Sequence, residues 1–481
     1  SMRCFKSVTN FYIKRRFRRI AEHLREVPPG KLQNESESRL YHCLQHAARE
    51  VPAYQRLLQA KNVDAEKISS IEEFREEIPV LNKQNVFQRQ PLHEWTVNGT
   101  LKQARLLYSS SGYSGVFSYG LESKAQIKHA ARSFEFALTT IPEIVEEQVL
   151  LINCLPSGVE IHTESIPMIR SSVREDVVLA LVDKLRPYFR QLIILGEHLF
   201  LKKLFEEGNR QKIGWEDFFL CVVTGGEYIA KNAADYLRTL AGIDPDHSES
   251  GQLIVSFGLS ELSSSICRET WETSQIRRLA FDDMHLREML YGEETHICPS
   301  IMQYNPYQNY IETVKNEEGR EQLVVSMLEP KRMVPLIRYN TGDTARIISF
   351  DALEQIMCEY GRPDLVPEFR LPFVVTWGKY EPLNLANQKK VYPESVKEAL
   401  YADQHVAEAI TGNFRLQRCN GDKPEVLVQL KPAVPTTADL QKQLLIHLKE
   451  WAGEDVSTTL IPYQDYPFGM TLDYERKPQY V

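Results

Sequence analysis

The chain lacks the features that mark several large classes of protein. Its eight cysteines include no Cys-x-x-Cys pair, so we expect free thiols in a reducing, cytoplasmic compartment. No apolar run reaches the roughly 18 residues of a membrane-spanning helix and no signal-peptide pattern opens the sequence, so we expect no transmembrane segment. A net charge of −8 over 481 residues argues against a general nucleic-acid-binding surface.

What the chain contains is the composition of an ordinary globular protein, with 43% hydrophobic and 25% charged residues. It has neither internal repeats nor a long low-complexity tract. One short segment departs from the average by crowding five cations into six residues: Lys14, Arg15, Arg16, Arg18 and Arg19. We interpret it as the solvated face of a helix, and docking on an acidic partner or a membrane is the alternative.

Short apolar runs alternate with helical patterns through most of the chain. The runs predict buried strands over residues 148–152, 191–195, 218–223, 253–257 and 323–327. Amphipathic spacing predicts helices over 40–58 with a break at Pro52, over 123–141, 173–189 and 229–240, and a capped start where Ser70 precedes Glu73. Buried strands that alternate with helices are typical of a mainly parallel sheet in an α/β fold.

The pattern changes after Trp377. Residues 393–402 and 437–451 read as helices, 406–416 and 425–430 as strands, and Asn420-Gly421-Asp422 as the turn between the strands. This is an α+β unit of about a hundred residues, a common domain size. We therefore place a domain boundary near Gly378, which gives domains over 1–377 and 378–481.

A loop rich in serine and glycine precedes the helix at residue 123. Residues 108–115 hold four serines and two glycines. Glycine lets backbone N–H groups approach an anion and serine hydroxyls add donors, so the loop is suited to the phosphates of a nucleotide. A flexible polar loop is the alternative. Ligands of α/β sheets bind where loops leave the carboxyl ends of strands, and the Gly-Gly-Glu of 225–227 and the Gly-Leu-Ser-Glu of 258–261 lie at such ends.

Taken in order, five segments resemble the adenylate-forming superfamily of acyl-CoA synthetases, nonribosomal-peptide adenylation domains and luciferases. Within it, the sequence looks most like the phenylacetate–CoA ligase-like branch, which includes coenzyme F390 synthetase. The segments are Leu44–Tyr54, Ser110–Gly115, Gly225–Glu227, Phe257–Glu261 and, as the most specific match, Pro335–Asp343. The resemblance implies a large multi-subdomain N-terminal domain with mainly parallel sheets, which binds ATP and a carboxylate, and a small mobile α+β C-terminal domain.

The activity that the resemblance implies is attack of a carboxylate on the α-phosphate of ATP, which gives an acyl-adenylate and pyrophosphate. The acyl group then passes to a thiol, most simply coenzyme A. Because a carboxylate is a poor nucleophile towards an anionic phosphate chain, the protein must neutralise charge and align the reactants. The partners implied are a small-molecule carboxylic acid and either coenzyme A or an acyl carrier protein; relatives in this branch are often dimers, so a homodimer is a further hypothesis.

The resemblance also assigns roles to individual residues. The β- and γ-phosphates would lie in a cradle formed by Ser110, Ser111, Gly112, Ser114 and Gly115. Adenine would contact Gly225, Gly226, Glu227, Phe257 and Gly258. Glu261 would hold Mg²⁺ with waters, and Ser260 would meet the α-phosphate or the metal. Asp343 would accept both ribose hydroxyls, and Lys379 would place a charge near ribose or phosphate. Lys477 would bind the carboxylate and the transferring phosphate, with Arg476 as its rival.

Each assignment has a structural alternative. Glu261 could be a paired structural carboxylate, Phe257 a core residue, Asp343 the cap of its own turn, and the C-terminal lysine part of a frayed tail. Cys267, His285, His296 and Cys298 could suggest zinc, but their spacing fits no tight zinc pattern, and we favour buried cysteines with surface histidines. Residues 155–159 and 195–198 are predicted to line the acyl pocket.

The sequence departs from the superfamily pattern at several positions. Phe117 and Ser118 stand where a Pro-Lys pair is common, Lys379 replaces an arginine, Glu381 a hinge aspartate, and Gln388 the glycine that lines the thiol tunnel. Adenylation needs a cation and a hydroxyl-binding carboxylate, and both are kept. Gln388 leaves the thiol step open, so transfer to a carrier-protein phosphopantetheine or to an amine is an alternative. A nucleotide-binding regulator without catalysis is the alternative from another class.

Overall fold

The structure, a computed structural model, describes residues 2–109, 117–156, 158–262, 264–292, 297–329, 331–379, 381–386, 388–419, 423–453, 455–469 and 474–481. Within these ranges it describes all side chains except those of residues 2–12 and 264. In this part of the chain, every helix is too short or too polar to cross a bilayer.

The helices begin at local signals that the sequence carries. The predicted capping box at Ser70 is confirmed, Ser123 forms a second one, and Pro52 occupies the first turn of a new helix, where its missing N–H costs nothing. The helices are α1 (Met2–Glu26), α2 (Pro29–Glu50), α3 (Pro52–Ala60), α4 (Ile71–Glu77), α5 (Lys124–Thr139), α6 (Glu175–Leu185), α7 (His198–Arg210), α8 (Lys231–Ala241), α9 (Trp271–Asp282), α10 (Met284–Tyr291), α11 (Phe350–Glu359), α12 (Pro393–Leu400), α13 (Gln404–Ala409) and α14 (Ala438–Ala452).

The strands fall into one large sheet and three small ones. They are β1 (Ala104–Ser109), β2 (Tyr119–Ser123), β3 (Val149–Asn153), β4 (Met168–Arg170), β5 (Gln191–Gly196), β6 (Phe219–Gly225), β7 (Gly251–Leu259), β8 (Ser264–Arg268), β9 (Ser300–Tyr304), β10 (Asn309–Lys315), β11 (Glu321–Met327), β12 (Tyr339–Ile348), β13 (Phe373–Gly378), β14 (Leu383–Asn384), β15 (Lys390–Val391), β16 (Ile410–Cys419), β17 (Lys423–Leu430) and β18 (Ser457–Ile461).

The large sheet has a parallel half and an antiparallel half. Within the described residues its strand order is β10-β11-β12-β13-β9-β8-β7-β6-β5-β3-β4. The strands from β4 to β7 pair in parallel, and all pairings from β7 to β10 are antiparallel. The α/β fold class is confirmed. Four predicted apolar runs are the parallel strands β3, β5, β6 and β7, whereas the run 323–327 is β11 in the antiparallel half, because apolar runs report burial and not direction.

The C-terminal unit is built on a second sheet of β16, β17 and β18. Its two predicted helices are α12 and α14, and its second predicted strand is β17. The strand predicted over 406–416 is wrong over 406–409, where α13 forms because the side chain of Asp403 caps its N-terminus by accepting from the N–H of Val406. The predicted turn at 420–422 lies outside the described residues.

The main hydrophobic core is continuous across the predicted domain boundary. It joins Val222 and Phe373 before Gly378 to Val396 and Phe414 after it. Along the chain, β13 is the last strand that joins the large sheet, and it ends at Gly378, whose φ of +71° suits glycine. The strands of the second sheet come later in the sequence. The division at 377/378 and the mobility of the second unit stay predictions.

A wholly buried helix also joins the two units by polar bonds. Every residue of α12 is buried. The carboxylate of Glu398 accepts from the backbone N–H groups of Lys231, at 2.8 Å, and Asn232, at 3.0 Å, and so caps α8. Beside it, Lys397 Nζ lies 2.6 Å from Glu227 Oε2. A carboxylate at a helix N-terminus satisfies N–H groups that have no partner within the helix. A side chain of α12 thus supplies the N-terminal hydrogen-bond acceptors of α8.

We expect Glu398→Ala to lower the free energy of unfolding by about 1–3 kcal/mol, because it leaves two partly buried backbone N–H groups without their carboxylate acceptor. Urea unfolding measures the change. Glu450→Ala on α14, whose side chain is 66% exposed, is the matched control and should shift the same quantity by less than about 0.5 kcal/mol. Equal shifts for the two variants would contradict the capping role.

Candidate active site

Three loops meet where the parallel strands β5, β6 and β7 end. Gly196 is in register with Thr224, and Gly225 with Ser256, so the loops after these strands start at one edge of the sheet. The Gly-Gly-Glu motif of 225–227 and the Phe-Gly-Leu-Ser-Glu motif of 257–261 therefore lie side by side, where the sequence predicts them. The loop after β5 lies beside these two motifs and places Glu197 at the same edge of the sheet.

Two glycines let this edge close tightly. A Cβ on Gly225 would lie 2.2 Å from the carbonyl oxygen of Ser256, so only glycine fits there. Gly226 has a φ of +92°, and a Cβ there would lie 2.9 Å from Glu197 Oε1 and 3.4 Å from Lys477 Nζ. The bare backbone at Gly226 thus makes room for a carboxylate and an ammonium from distant parts of the chain.

The C-terminal lysine reaches this edge. Lys477 Nζ donates to the carbonyl oxygen of Gly226 at 2.5 Å, while Arg476 is exposed. Tyr474 and Tyr480, on either side of the lysine, are both buried, and the carbonyl oxygen of Tyr480 accepts from the backbone N–H of Leu416 on β16. The tail is therefore packed rather than frayed, and of the two rivals the structure brings Lys477 to the motif loops.

Glu227 is tied to the C-terminal unit. Its carboxylate lies 2.6 Å from Lys397 Nζ, accepts from Tyr480 Oη at 3.0 Å and lies 3.5 Å from His198 Nδ1. Burial by itself raises the pKa of this carboxyl, but Lys397 and His198 outweigh it and hold the pKa at about 2. Burial lowers the pKa of His198 to about 4. The carboxylate predicted to flank adenine therefore binds α12 and the C-terminal tail, and its adenine contact stays a prediction.

Glu261 is held by two hydroxyl groups. Ser118 Oγ donates to one of its carboxylate oxygens at 2.8 Å and Tyr339 Oη to the other at 2.7 Å. A carboxylate offers about four lone pairs, so acceptor capacity is left for a cation. Mg²⁺ commonly takes one or two carboxylates and completes its shell with waters and phosphate oxygens. Glu261 fits such a site, and no cluster of three or more metal-ligating side chains occurs among the described residues.

Lys83 is a further cation near this carboxylate. Burial is the largest influence on the pKa of Lys83 and lowers it; the charge of Glu261 raises this pKa, and the charges of Lys379 and Lys477 lower it. Lys83 is thus close enough to sense one carboxylate and two other lysines. Such a surplus of positive charge suits a polyanion such as a triphosphate. The sequence alone does not mark Lys83, because it lies outside all five motif segments.

Asp343 is buried within β12, at an irregularity in the pairing of this strand with β11. Lys379 Nζ lies 3.4 Å from its Oδ2 and donates to the carbonyl oxygen of Thr341 at 2.6 Å. The backbone N–H of Asp343 donates to Thr341 Oγ1 at 3.1 Å. Within the described contacts this backbone N–H is therefore satisfied by Thr341 and not by the Asp343 carboxylate, which lies beside Lys379. Ribose binding by Asp343 stays a prediction.

The remaining predicted site residues are less completely defined. Ser110, Ser111, Gly112, Ser114 and Gly115 lie outside the described residues; β1 and β2 pair as a hairpin on either side of them, with Ser109 opposite Tyr119.

Phe257 and Gly258 lie at a β-bulge between β7 and β8, and Phe257 packs partly buried against the main core. Ser260 begins a short 3₁₀ turn, and its carbonyl oxygen lies 2.8 Å from the position of a Cβ on Gly120 in β2. The adenine and phosphate contacts of these residues stay predictions.

The other sequence hypotheses can be placed as well. Cys267 and Cys298 are buried and His285 is exposed, whereas His296 lies outside the described residues.

In α1, Lys14 pairs with Glu146 and Glu147, and the side chains of residues 15, 16, 18 and 19 are exposed, as expected for a solvated helix face.

The fold is that of the adenylate-forming ligases. No family model and no curated protein matches the chain, but solved structures match it over nearly its whole length. One is 2-hydroxyisobutyryl-CoA ligase in the postadenylation state with R3-HIB-AMP, at a TM-score of 0.70 and 14% identity over 95% of this chain and 90% of that one. The same ligase in the thioesterification state, with 2-HIB-AMP and CoA, gives a TM-score of 0.56 at 14% identity over 94% and 90%.

A third match is the acyl acid amido synthetase AtGH3.15 in complex with 2,4-DB, with a TM-score of 0.55 and 11% identity over 97% of this chain and 93% of that one. The fold that the resemblance implied is confirmed by these structures. The phenylacetate–CoA ligase-like branch stays a prediction.

Gly226→Ala tests whether the bare backbone makes room for the two charged groups. We expect it to cost about 1–2 kcal/mol of stability, because its φ is unfavourable for alanine. Gly361→Ala is the matched control, since Gly361 has a φ of +85° and a Cβ there meets nothing within 4 Å. Only Gly226→Ala should increase the reactivity of Lys477 towards an amine-labelling reagent, measured by mass spectrometry. Equal Lys477 labelling in both variants would show that Gly226 does not seat the lysine.

Proposed function

We propose that this protein is an AMP-forming ligase that activates a carboxylic acid as its acyl-adenylate and transfers the acyl group to a thiol, most simply that of coenzyme A. One observation carries the proposal. The C-terminal Lys477 is bound at Gly226 in the Gly-Gly-Glu motif and its charge reaches Lys83, which also senses Glu261, in a chain with the fold of the adenylate-forming ligases. The cytoplasmic location stays a prediction.

In this proposal the lysines offset the charge of the nucleotide. Lys83 and Lys379 lower the repulsion between the triphosphate and the incoming carboxylate, and the Lys477 ammonium stabilises the negative charge on the transferring phosphate. Asp343 orients the ribose through its two hydroxyl groups. Glu261, itself oriented by Ser118 and Tyr339, would hold Mg²⁺, which supplies further charge neutralisation when it is bound.

The acceptor step has less support than the adenylation step. Two matched structures of 2-hydroxyisobutyryl-CoA ligase are complexes with CoA, whereas the match to an acyl acid amido synthetase favours an amine acceptor. Gln388, with a φ of +62°, stands where the thiol tunnel of the superfamily is lined by glycine. The chain superposes better on the postadenylation state than on the thioesterification state of the same ligase, which supports a docked arrangement of the C-terminal unit suited to the first half-reaction.

The direct test is ATP–pyrophosphate exchange by purified protein with Mg²⁺ and a panel of aryl, fatty, hydroxy and amino acids. Exchange with at least one acid supports the adenylation step, and the absence of exchange with any of them favours a nucleotide-binding regulator. With the active acid in hand, adding coenzyme A, a carrier protein or an amine identifies the acceptor by the product formed.

Lys477→Ala should reduce pyrophosphate exchange at least about a hundredfold, because it removes the cation that faces the developing charge. The affinity for ATP, measured by calorimetry, should change by less than about threefold. Arg476→Ala is the matched control, because Arg476 is exposed, and should keep the exchange rate of the original protein. The opposite pattern would assign the role to Arg476.

Asp343→Ala should weaken ATP binding about tenfold or more, because the ribose loses a charge-assisted acceptor. Binding of pyrophosphate alone, which has no ribose, should be unchanged. Asp351→Ala on the exposed surface of α11 is the control and should leave both affinities unaltered. An unchanged affinity for ATP in Asp343→Ala would refute the ribose assignment.

A further inference from the structure

Glu197 lies at the edge of the three loops, within the segment 195–198 that is predicted to line the acyl pocket, and the proposed chemistry gives its carboxylate no role of its own. It follows β5 directly and precedes the first residue of α7, so two regular elements fix its backbone. Its Oε1 lies 2.9 Å, and Lys477 Nζ 3.4 Å, from the place that a Cβ on Gly226 would occupy. The carboxylate and the ammonium therefore both lie next to the space that the missing side chain of Gly226 leaves open.

Four charged side chains on three parts of the chain act on Glu197. Lys477 and Glu475 lie on the C-terminal tail, Glu227 on the loop after β6, and Lys397 on α12. Burial is the largest influence and raises the pKa of the Glu197 carboxyl to about 7; the two lysines oppose this rise, and the two other glutamates add to it. Lys477 is the largest of these charge effects, so it is the principal partner of Glu197.

A lysine needs such a partner to act from a fixed position. Its ammonium is a point charge on a flexible four-carbon stem, and holding that stem in one rotamer costs on the order of 2 kcal/mol of side-chain entropy. In the described structure Lys477 has one hydrogen bond to a protein group, to a backbone carbonyl. A carboxylate whose backbone is fixed between a strand and a helix, and which lies beside the same glycine, attracts this ammonium through its charge.

We propose that Glu197 is a positioning residue that holds the Lys477 ammonium over Gly226 for the adenylation step. This inference rests on the proposed function, since it assigns Glu197 to the same site and reaction. Glu197 contacts no reacting atom in this proposal. It acts through the lysine, and it does so in its ionised form, because only the carboxylate attracts the ammonium.

The proposal requires adenylation to depend on pH in a definite direction. As the pH falls through about 7, the Glu197 carboxylate takes up a proton and the attraction on Lys477 is lost. The exchange rate should therefore decline on the acid side of neutrality. Glu197→Gln keeps the size of the side chain but has no charge at any pH. Its exchange rate should therefore be low at every pH and should not fall further as the pH drops below 7.

The test measures exchange between pH 6 and 8.5 with the active acid at saturation. Glu197→Gln should lower kcat about tenfold at pH 8, leave KM for ATP within about twofold, and flatten the profile around pH 7. Glu197→Asp, which keeps the charge, should restore part of the dependence on pH. Glu207→Gln is the matched control, because Glu207 lies on α7, the helix that follows Glu197, and binds Arg210 at the surface. It should keep the original rate and profile.

The failure of this inference is distinguishable from that of the proposed function. If the unmodified protein catalyses exchange and Glu197→Gln keeps its rate and profile, Glu197 does not position Lys477. If the unmodified protein shows no exchange with any acid, the proposed function fails, and this inference fails with it. A uniform loss of ATP affinity in Glu197→Gln would also overturn the inference, because it would indicate a structural role.

Discussion

The buried pair of Lys397 and Glu227 is the interaction on which the arrangement of the candidate site depends. Taking two charges out of water is costly unless they are paired and hydrogen-bonded, and here the pairing can occur only when α12 lies against the end of β6. Tyr480 donates to the same carboxylate, so the pair also fixes the tail of the chain. With the tail in place, Lys477 reaches Gly226. The position of the lysine is thus set by charges that take no part in the proposed reaction.

Local signals in the sequence predict local structure well. The capping boxes at Ser70 and Ser123 begin helices because the pairing involves residues only three apart. The motif loops fall at strand ends because a buried run must end before a glycine-rich turn. The direction of β11 and the helix over 404–409 could not be predicted in this way. Direction depends on the neighbouring strand, and the short helix depends on a single cap by Asp403.

In the candidate site, too, the sequence predicts local features but not contacts between distant parts of the chain. The motifs identify which residues gather, but not what each side chain contacts, since partners such as Lys397 are 170 residues away from Glu227 in the sequence. The departure at Ser118 shows this most clearly. The sequence shows a lysine missing from the usual Pro-Lys pair, whereas the structure shows the serine hydroxyl bound to Glu261 and a different cation, Lys83, near the same carboxylate. A lost charge in a motif is therefore not a lost charge in the site.

The hydrogen bond from Ser118 to Glu261 has a thermodynamic consequence. Ser118 lies just beyond the segment that the sequence assigns to the phosphates, and Glu261 is the carboxylate that suits a divalent cation. If the proposed metal–nucleotide site is right, this one bond would connect the part of the chain that holds the phosphates to the carboxylate that holds the cation. Coupling between two binding events is reciprocal, so any gain in nucleotide affinity caused by the cation must be matched by an equal gain in cation affinity caused by the nucleotide.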